Sequence, residues 1–287
     1  MVERLDDERA LLGEGPVWVA AEQCLYWVDI KGHRLHRYNP TRQTAESWSF
    51  PDNLAWVLPR QSGGLVAGTR HSIGLLTISE GLVFTPYVEI DSNIPTNRLN
   101  DAKVDLDGTI LFGTMDDQEA AATGSFYRLS PDFTVEKLDA GYIVSNGPAI
   151  DPALGRVYHT DSATGEIYQF DCVEGKLLNK RRFIQFSRED GFPDGMTVDC
   201  EGGLWVAHWG GGRVSRFLPD GRLDYFVPVP TSLVTSCCFG GEHLDELFIT
   251  TASIGFTAEQ MALQPHAGGL FRVRAGVKGV ESSSFFG

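Results

Sequence analysis

The chain has 287 residues, of which 42% are hydrophobic, 32 are glycine and 14 are proline. These numbers exclude intrinsic disorder, and the evenly spread glycines favour one large β-barrel or propeller domain over residues 1–287. Asp and Glu outnumber Lys and Arg by 38 to 24, so the net charge of −14 argues against nucleic acid and anionic lipid as partners and favours divalent cations and neutral ligands.

The N-terminal segment and the cysteines predict a cytoplasmic protein. Acidic and basic residues precede Leu11-Leu12, so the apolar stretch of a signal peptide is absent, and no run approaches the roughly 18 apolar residues of a membrane span. The five cysteines are odd in number and include no C-x-x-C pair, which argues against a disulfide framework and a structural zinc site. Adjacent Cys237 and Cys238 are interpreted as core residues.

One short pattern recurs six times: two or three apolar or aromatic residues, then small residues, often with an aspartate. The spacings between copies are 40, 46, 46, 47 and 43 residues. A period near 44 built from short strands is typical of a propeller blade. The copies start at Leu25, Leu65, Leu111, Val157, Leu204 and Leu247.

A glycine-containing turn precedes most copies, and a strand with alternating polarity follows them. The sequence therefore predicts an all-β fold, a six-bladed β-propeller with four-stranded antiparallel blades, in which N-terminal residues add a strand to the last blade. A pair of β-sandwiches or a parallel β-helix fits the period less well. Helical signal is confined to residues 258–263, with residues 116–122 as either a helical turn or a loop.

Carboxylate or amide residues recur at the start of the strand that precedes four of the six copies, whereas the second and sixth units have Leu54 and Ser236 there. Counting back 11 residues gives Glu14, Asn100 and Asn146, and one residue fewer in the fifth unit gives Asp194. Because equivalent positions in a radial fold face one axis, we expect these four side chains to converge. Their oxygens suit Ca²⁺, Mg²⁺, Mn²⁺, Zn²⁺ or Fe²⁺. The alternative is that they are turn residues beside glycine.

Other residues are weaker candidates for the metal or substrate site. Arg98 and Asp101 flank Asn100 and either face the same mouth or form a surface ion pair. His159 and His208-Trp209 follow channel-side strands, so they either reach the site or belong to the core. Both histidines are interpreted as core histidines, and Asp105 to Gly108 as a hairpin turn. No nucleophile elbow, Walker loop, zinc-protease motif or dinucleotide fingerprint occurs in the sequence.

Four longer segments stand out in chain order: Leu-Gly-Glu-Gly-Pro-Val-Trp at 12–18, Asn-Arg-Leu-Asn-Asp at 97–101, Ser-Asn-Gly-Pro at 145–148 and Phe-Pro-Asp-Gly-Met at 192–196. Together with the six repeats, these segments resemble the regucalcin/gluconolactonase family, also called the senescence marker protein family. The resemblance spans residues 10 to about 273, and residues 158–161 and 180–186 are similar to the bacterial xylonolactonase and arabinonolactonase branch.

The resemblance implies hydrolysis of a sugar lactone, with one divalent metal ion (Ca²⁺, Zn²⁺, Mn²⁺ or Fe²⁺) held by Glu14, Asn146 and Asp194. It also implies that Arg98 and Asn100 lie near the substrate. Animal members carry a substrate-facing Glu shortly after Gly-Thr-Met, where this chain has Gln118. We therefore expect Asp116 or Asp117 to contact the sugar instead.

Lactone hydrolysis builds negative charge on the carbonyl oxygen, which a metal ion stabilises, and Asp194 is the predicted general base for the attacking water. The expected partner is a small sugar lactone, and the expected state is a monomer or weak homo-oligomer. Two other functions stay open at this point: a non-enzymatic calcium-binding regulator, and a metal-dependent esterase or phosphotriesterase, whose pocket would need apolar walls.

Overall fold

The structure, a computed structural model, describes residues 2–287 and contains 24 strands in six four-stranded sheets. One α-helix, α1, covers Ala258–Leu263, and 3-10 turns cover Ser162–Thr164 and Arg188–Asp190. The strands are β1 Glu3–Arg4, β2 Gly13–Val19, β3 Cys24–Asp29, β4 Arg34–Asn39, β5 Thr44–Ser49, β6 Leu54–Pro59, β7 Leu65–Thr69, β8 Ser72–Ile78, β9 Leu82–Glu89, β10 Asn97–Val104, β11 Ile110–Asp116, β12 Gly124–Leu129, β13 Val135–Tyr142, β14 Ser145–Asp151, β15 Arg156–Asp161, β16 Glu166–Val173, β17 Lys176–Gln185, β18 Phe192–Val198, β19 Leu204–Trp209, β20 Arg213–Phe217, β21 Leu223–Pro228, β22 Val234–Gly240, β23 Glu246–Thr251 and β24 Phe271–Arg274.

Each sheet is one blade of a propeller, and its strands pair with antiparallel neighbours in chain order. The recurring sequence pattern forms the second strand of every blade, from β3 in the first to β23 in the last. The predicted six-bladed β-propeller with four-stranded antiparallel blades is therefore confirmed.

Burial decreases outward along each blade. Every residue of the innermost strands β2, β6 and β22 is buried, whereas most residues of the outer strands β9, β13 and β21 are exposed or half-buried. The inner strands are covered on both faces by neighbouring blades, so their apolar residues do not alternate with polar ones. Trp56 and Trp205 fill the space between blades and are almost fully buried.

The N-terminal strand β1 closes the ring, as predicted. It pairs with β24 in the last blade, so that one sheet joins the two ends of the chain. Arg272 of β24 adds ion pairs to Glu3 at 2.9 Å and Glu246 at 3.2 Å. Closure leaves no blade without a neighbour on either side.

All six innermost strands contain a register shift near their start. In the four strands that carry Glu14, Asn100, Asn146 and Asp194, the shift is a β-bulge in which two residues oppose one residue of the second strand, for example Gly15-Pro16 opposite Trp27. Bulges bend a strand and change where its side chains point. The remaining bulge pairs are Asn100-Asp101 in β10, Gly147-Pro148 in β14 and Asp194-Gly195 in β18.

The bulges correct the idea that the four polar residues occupy one strand position. Glu14 and Asn146 directly precede a bulge, whereas Asn100 and Asp194 are the first residue within one. Gly147 has a φ of 71° at its bulge, a conformation that favours glycine. The residues lie inside strands and are not hairpin-turn residues.

The C-terminal segment crosses the mouth of the channel where the innermost strands end. Residues 280–283 line a small cavity of about 70 Å³ there, together with Val17, Leu58 and Lys103. Phe285 then anchors the chain end, because it is fully buried and its backbone bonds to Pro59 and Gln61. The channel therefore offers its larger opening at the other face.

The structure also decides the predictions for the helix, the β10–β11 turn and the cysteines. Residues 258–263 form α1, capped by Thr257, while residues 116–122 contain no helix. Asp105 to Gly108 form the β10–β11 turn, and Cys237 and Cys238 are buried free thiols. No helix among residues 2–287 is long and apolar enough to cross a membrane. The cytoplasmic location and the oligomeric state stay predictions.

The C-terminal anchor can be tested with two adjacent phenylalanines. Phe285→Ala removes a fully buried ring that packs edge-on against Phe133, and we expect it to lower the free energy of unfolding by about 3–5 kcal/mol. Phe286, which is 49% exposed, is the matched control, and Phe286→Ala should cost about 1 kcal/mol or less. Denaturant unfolding curves measure both, and equal losses would contradict the anchor role of Phe285.

Candidate functional site

A cavity of about 410 Å³ lies at the face of the ring where the innermost strands begin. Its walls combine ionisable, amide and apolar side chains from several blades. It contains six of the seven residues that the sequence predicted for metal or substrate. Its lining residues include Glu14, Lys31, Arg98, Asn100, Asp117, Glu119, Asn146, Ser162, Phe192, Asp194 and Trp209.

The floor of the cavity carries two buried carboxylates, Glu14 and Asp194. Their exposed fractions are 6% and 5%. Burial raises the pKa of Glu14 to about 8, with a further contribution from the Asp101 carboxylate. Burial and the charge of Glu14 raise the pKa of Asp194 well above its ordinary value. Asp194 Oδ1 is buried and has no hydrogen-bond partner among residues 2–287.

A third carboxylate, Asp101, lies beneath this pair. Its Oδ1 accepts a hydrogen bond of 2.8 Å from the Ala102 amide, while its Oδ2 is buried and unpartnered among the described residues. Burial raises its pKa to about 6. Asp101 is 3% exposed, so the surface ion pair left open by the sequence is wrong.

Two amides from neighbouring blades hold each other beside the carboxylates. Asn100 Nδ2 donates to the Ser145 carbonyl at 2.7 Å and to Asn146 Oδ1 at 2.8 Å. Asn146 Nδ2 in turn donates to Ser162 Oγ at 3.0 Å. Both N–H groups of Asn100 are therefore used within the protein, and Asn146 Oδ1 keeps one lone pair for a further contact.

The rim of the cavity is organised around Asp117. Its Oδ1 accepts hydrogen bonds of 2.6 Å from both Lys31 Nζ and Arg98 Nε. Arg70 approaches Oδ2 at 3.3 and 3.4 Å. Burial raises the pKa of Asp117, but the hydrogen bond from Lys31 and the charge of Arg98 lower it more, to about 2. Arg98 also donates to Asn100 Oδ1 at 2.6 Å, which links rim and floor.

Asp116 is the one predicted substrate residue that does not line the cavity. Its carboxylate accepts hydrogen bonds from the backbone amides of Gln118, Ala120 and Ala121, at 3.2, 3.1 and 2.9 Å. It therefore shapes the β11–β12 loop. Glu119, which the sequence analysis did not single out, lines the cavity instead, with a φ of 56°.

The two histidines are core residues, as interpreted from the sequence. His159 is fully buried, stacks on Phe126 and shares a 2.9 Å hydrogen bond with Ser145 Oγ. Burial lowers the pKa of His159 to about 3 and that of His208 to about 4. Neither lines the cavity.

Sequence reasoning also missed Lys31 and Ser162, whereas Trp209, which follows a channel-side strand, does reach the cavity. A signal for them exists: innermost and second strands are antiparallel, so the ends of the second strands lie at the face where the innermost strands begin. Residues at or just after each recurring pattern are therefore candidates for the rim.

The donor set fits one divalent cation. No three His, Cys, Asp or Glu side chains within residues 2–287 lie close enough to hold a metal ion together. Two carboxylates, Glu14 and Asp194, and the amide oxygen of Asn146 nevertheless form a set of hard oxygen donors. Asp194 Oδ1 has no partner among the described residues, and the raised pKa values indicate that ionised carboxylates at this point lack a compensating cation.

Comparison with known proteins gives the family. Residues 12–253 match the SMP-30/Gluconolactonase/LRE-like region. The chain belongs to this family. It is 36% identical to an L-arabinolactonase of Azospirillum brasilense over 99% of this chain and 95% of that protein. It is 35% identical to regucalcin of Xenopus laevis over 100% and 98% of the two chains.

A solved structure agrees with this assignment. The calcium-binding protein regucalcin from Agrobacterium tumefaciens superposes with a TM-score of 0.93 at 25% sequence identity, covering 98% of this chain and 96% of that one. The family resemblance inferred from the sequence motifs is therefore confirmed.

The raised pKa of Glu14 predicts a pH-dependent stability of chelator-treated protein. Between pH 6.5 and 8 the unfolded chain has lost its carboxyl protons, whereas the folded state still binds protons at Glu14 and Asp194, so stability falls as the pH rises. The three buried histidines, whose pKa values burial lowers, act in the opposite direction near pH 6.5, because about half of them bind a proton in the unfolded chain at that pH; Glu14→Gln leaves this contribution unchanged. We expect Glu14→Gln to reduce this fall in melting temperature.

Two controls accompany this measurement. Glu80→Gln removes an exposed carboxyl and should leave the pH dependence of melting unchanged. Adding a divalent cation should raise the melting temperature of the unmodified protein more at pH 8 than at pH 6.5, because cation and protons compete for the same oxygens. Without metal, a pH dependence of melting that is the same in Glu14→Gln as in the unmodified protein would contradict the description of the floor.

Proposed function

We propose that the whole chain, residues 1–287, acts as a single-domain sugar lactonase that opens an aldonolactone to the aldonic acid in the 410 Å³ cavity. An enzyme of the sugar-lactonase class was predicted, and the family membership and the L-arabinolactonase relative confirm it at that level. The observation that carries the finer proposal is the buried Oδ1 of Asp194, which has no hydrogen-bond partner among residues 2–287 and shares the cavity floor with Glu14.

Glu14, Asn146 and Asp194 would hold one divalent ion, Ca²⁺, Zn²⁺, Mn²⁺ or Fe²⁺. When bound, such an ion supplies Lewis-acid polarisation of the lactone carbonyl and stabilises the negative charge that develops on its oxygen. Asn100 fixes the amide of Asn146 through its hydrogen bond of 2.8 Å, so this donor is oriented before any ligand arrives.

Asp194 is the proposed general base. A general base needs enough proton affinity to remove a proton from water. Burial raises the pKa of Asp194 and thereby increases its proton affinity. Its Oδ1 has no competing donor among the described residues. The carboxylate would therefore accept the proton of the attacking water and return it to the departing ring oxygen.

Arg98 and Asp117 are proposed to orient the sugar. Arg98 is only 5% exposed, and its hydrogen bonds to Asp117 and Asn100 fix the guanidinium at the cavity wall. Because both N–H groups of Asn100 are occupied, we assign Asn100 to positioning Arg98 and Asn146, rather than to donating to the substrate.

A non-enzymatic calcium-binding function is the second candidate, because a relative of closely similar structure carries the description of a calcium-binding protein. The two functions separate in one experiment. Metal-stripped protein is supplied with single divalent ions and assayed on a panel of pentono- and hexonolactones, with spontaneous opening subtracted. Binding of Ca²⁺ with lactone opening at the uncatalysed rate on every substrate would favour the second function.

The role of Asp194 has its own test. Asp194→Asn keeps the size and one oxygen but cannot accept the proton, so we expect turnover to fall about 10²–10⁴-fold and to stay low at saturating metal. Asp132→Asn, on an exposed turn, is the matched control. Recovery of turnover by excess metal would reduce Asp194 to a metal ligand, and the base would then be sought at Asp101.

A further inference from the structure

We propose that Lys31 and Asp117 form a subsite for a pair of sugar hydroxyls and that Lys31 determines specificity for hydroxylated lactones. This inference rests on the proposed lactonase function. Both side chains line the cavity, and their charged atoms are 2.6 Å apart. Lys31 comes from the loop after β3 in the first blade, and Asp117 from the loop after β11 in the third.

The pair retains unused hydrogen-bonding capacity. A lysine ammonium has three N–H donors, and among residues 2–287 that of Lys31 uses one, on Asp117. Asp117 Oδ1 already accepts from Lys31 and Arg98, whereas Oδ2 has only the long contacts of 3.3 and 3.4 Å to Arg70. One carboxylate oxygen therefore keeps acceptor capacity beside free donors.

This arrangement matches the chemistry of neighbouring hydroxyl groups. Each hydroxyl offers one donor and two lone pairs, so a pair of them can donate to Asp117 Oδ2 and accept from Lys31 Nζ. The pKa of about 2 keeps Asp117 ionised, and therefore an acceptor only, over the neutral pH range. The side chains of Lys31 and Asp117 are 27% and 17% exposed, so a ligand in the cavity can reach both.

Arg70 is the matched control for Lys31, because both side chains contact Asp117. It contacts the same carboxylate but does not line the cavity, so we expect it to act on a ligand only through Asp117. If Lys31 acted only by holding Asp117 in place, removing Arg70 would have a comparable effect. A direct contact between Lys31 and the sugar predicts that the two substitutions differ.

The experiment compares Lys31→Met with Arg70→Met on one sugar lactone and on its monodeoxy lactones. On the full sugar lactone, loss of a charged hydrogen bond to the substrate should lower kcat/KM of Lys31→Met about 10–100-fold, mainly through KM. For at least one deoxy lactone the loss should shrink to less than about threefold, because the bonding partner of Lys31 is already missing. Arg70→Met should lose less than about fivefold on each substrate.

Each outcome decides a separate point. Absence of lactone hydrolysis by the unmodified protein would overturn the proposed function itself. Hydrolysis by the unmodified protein, with an equal loss on the full and on every deoxy lactone in Lys31→Met, would overturn the hydroxyl subsite and leave the lactonase standing. Equal losses in Lys31→Met and Arg70→Met would also overturn it, since both would then act through Asp117.

Discussion

The common direction of the six innermost strands is the constraint on which the rest of the structure depends. Closure through β1 fixes the blades around one axis, and every innermost strand begins at the same face. Side chains that are 46 to 180 residues apart in sequence, such as Glu14, Asn100, Asn146 and Asp194, therefore share one cavity. Bulges in four of these strands aim the polar groups at that cavity, and the strands themselves stay rigid because both faces are packed.

The fold buries three carboxyl groups at a point where residues 2–287 supply no compensating cation at hydrogen-bonding distance. Glu14, Asp101 and Asp194 are each at most 6% exposed, and each has a raised pKa. Burying a carboxylate without a partner is costly, so such a group is retained only where the surrounding packing holds it or a ligand compensates it. The well-packed inner strands supply the first condition, and a divalent cation would supply the second.

The sequence predicted the architecture because each blade repeats one hydrophobic pattern at a nearly constant spacing. It also predicted the residues of the floor, since polar groups at strand entries stand out against that pattern. The prediction that these residues share one strand position was wrong. A bulge such as that at Gly15-Pro16 has no fixed sequence signature, and it changes which residue of the strand faces inward. The buried position of Asp101 was left undecided, since an Asp beside an Arg is equally compatible with a surface ion pair.

The rim was less predictable for a physical reason. Lys31 and Glu119 lie in loops, where no periodicity constrains them, and their proximity to the cavity follows from the antiparallel pairing of β2 with β3 and of β10 with β11. The floor, by contrast, is built on paired strands. The cavity thus has two parts. The strands carry the acidic floor, to which the proposed function assigns the chemistry, and the loops carry the rim around Asp117, which would contact a ligand above the floor.

Because of this separation, residues in the loops tolerate substitution better than residues in the strands. A changed strand residue at the floor disturbs packing between two blades, whereas a changed loop residue alters only the contacts at the mouth. The replacement of the expected glutamate by Gln118, with Glu119 one position later lining the cavity, is a change of this kind. Differences in sugar preference among chains with the same floor should therefore reside in the loops that follow the second strands, where Lys31 and Asp117 meet.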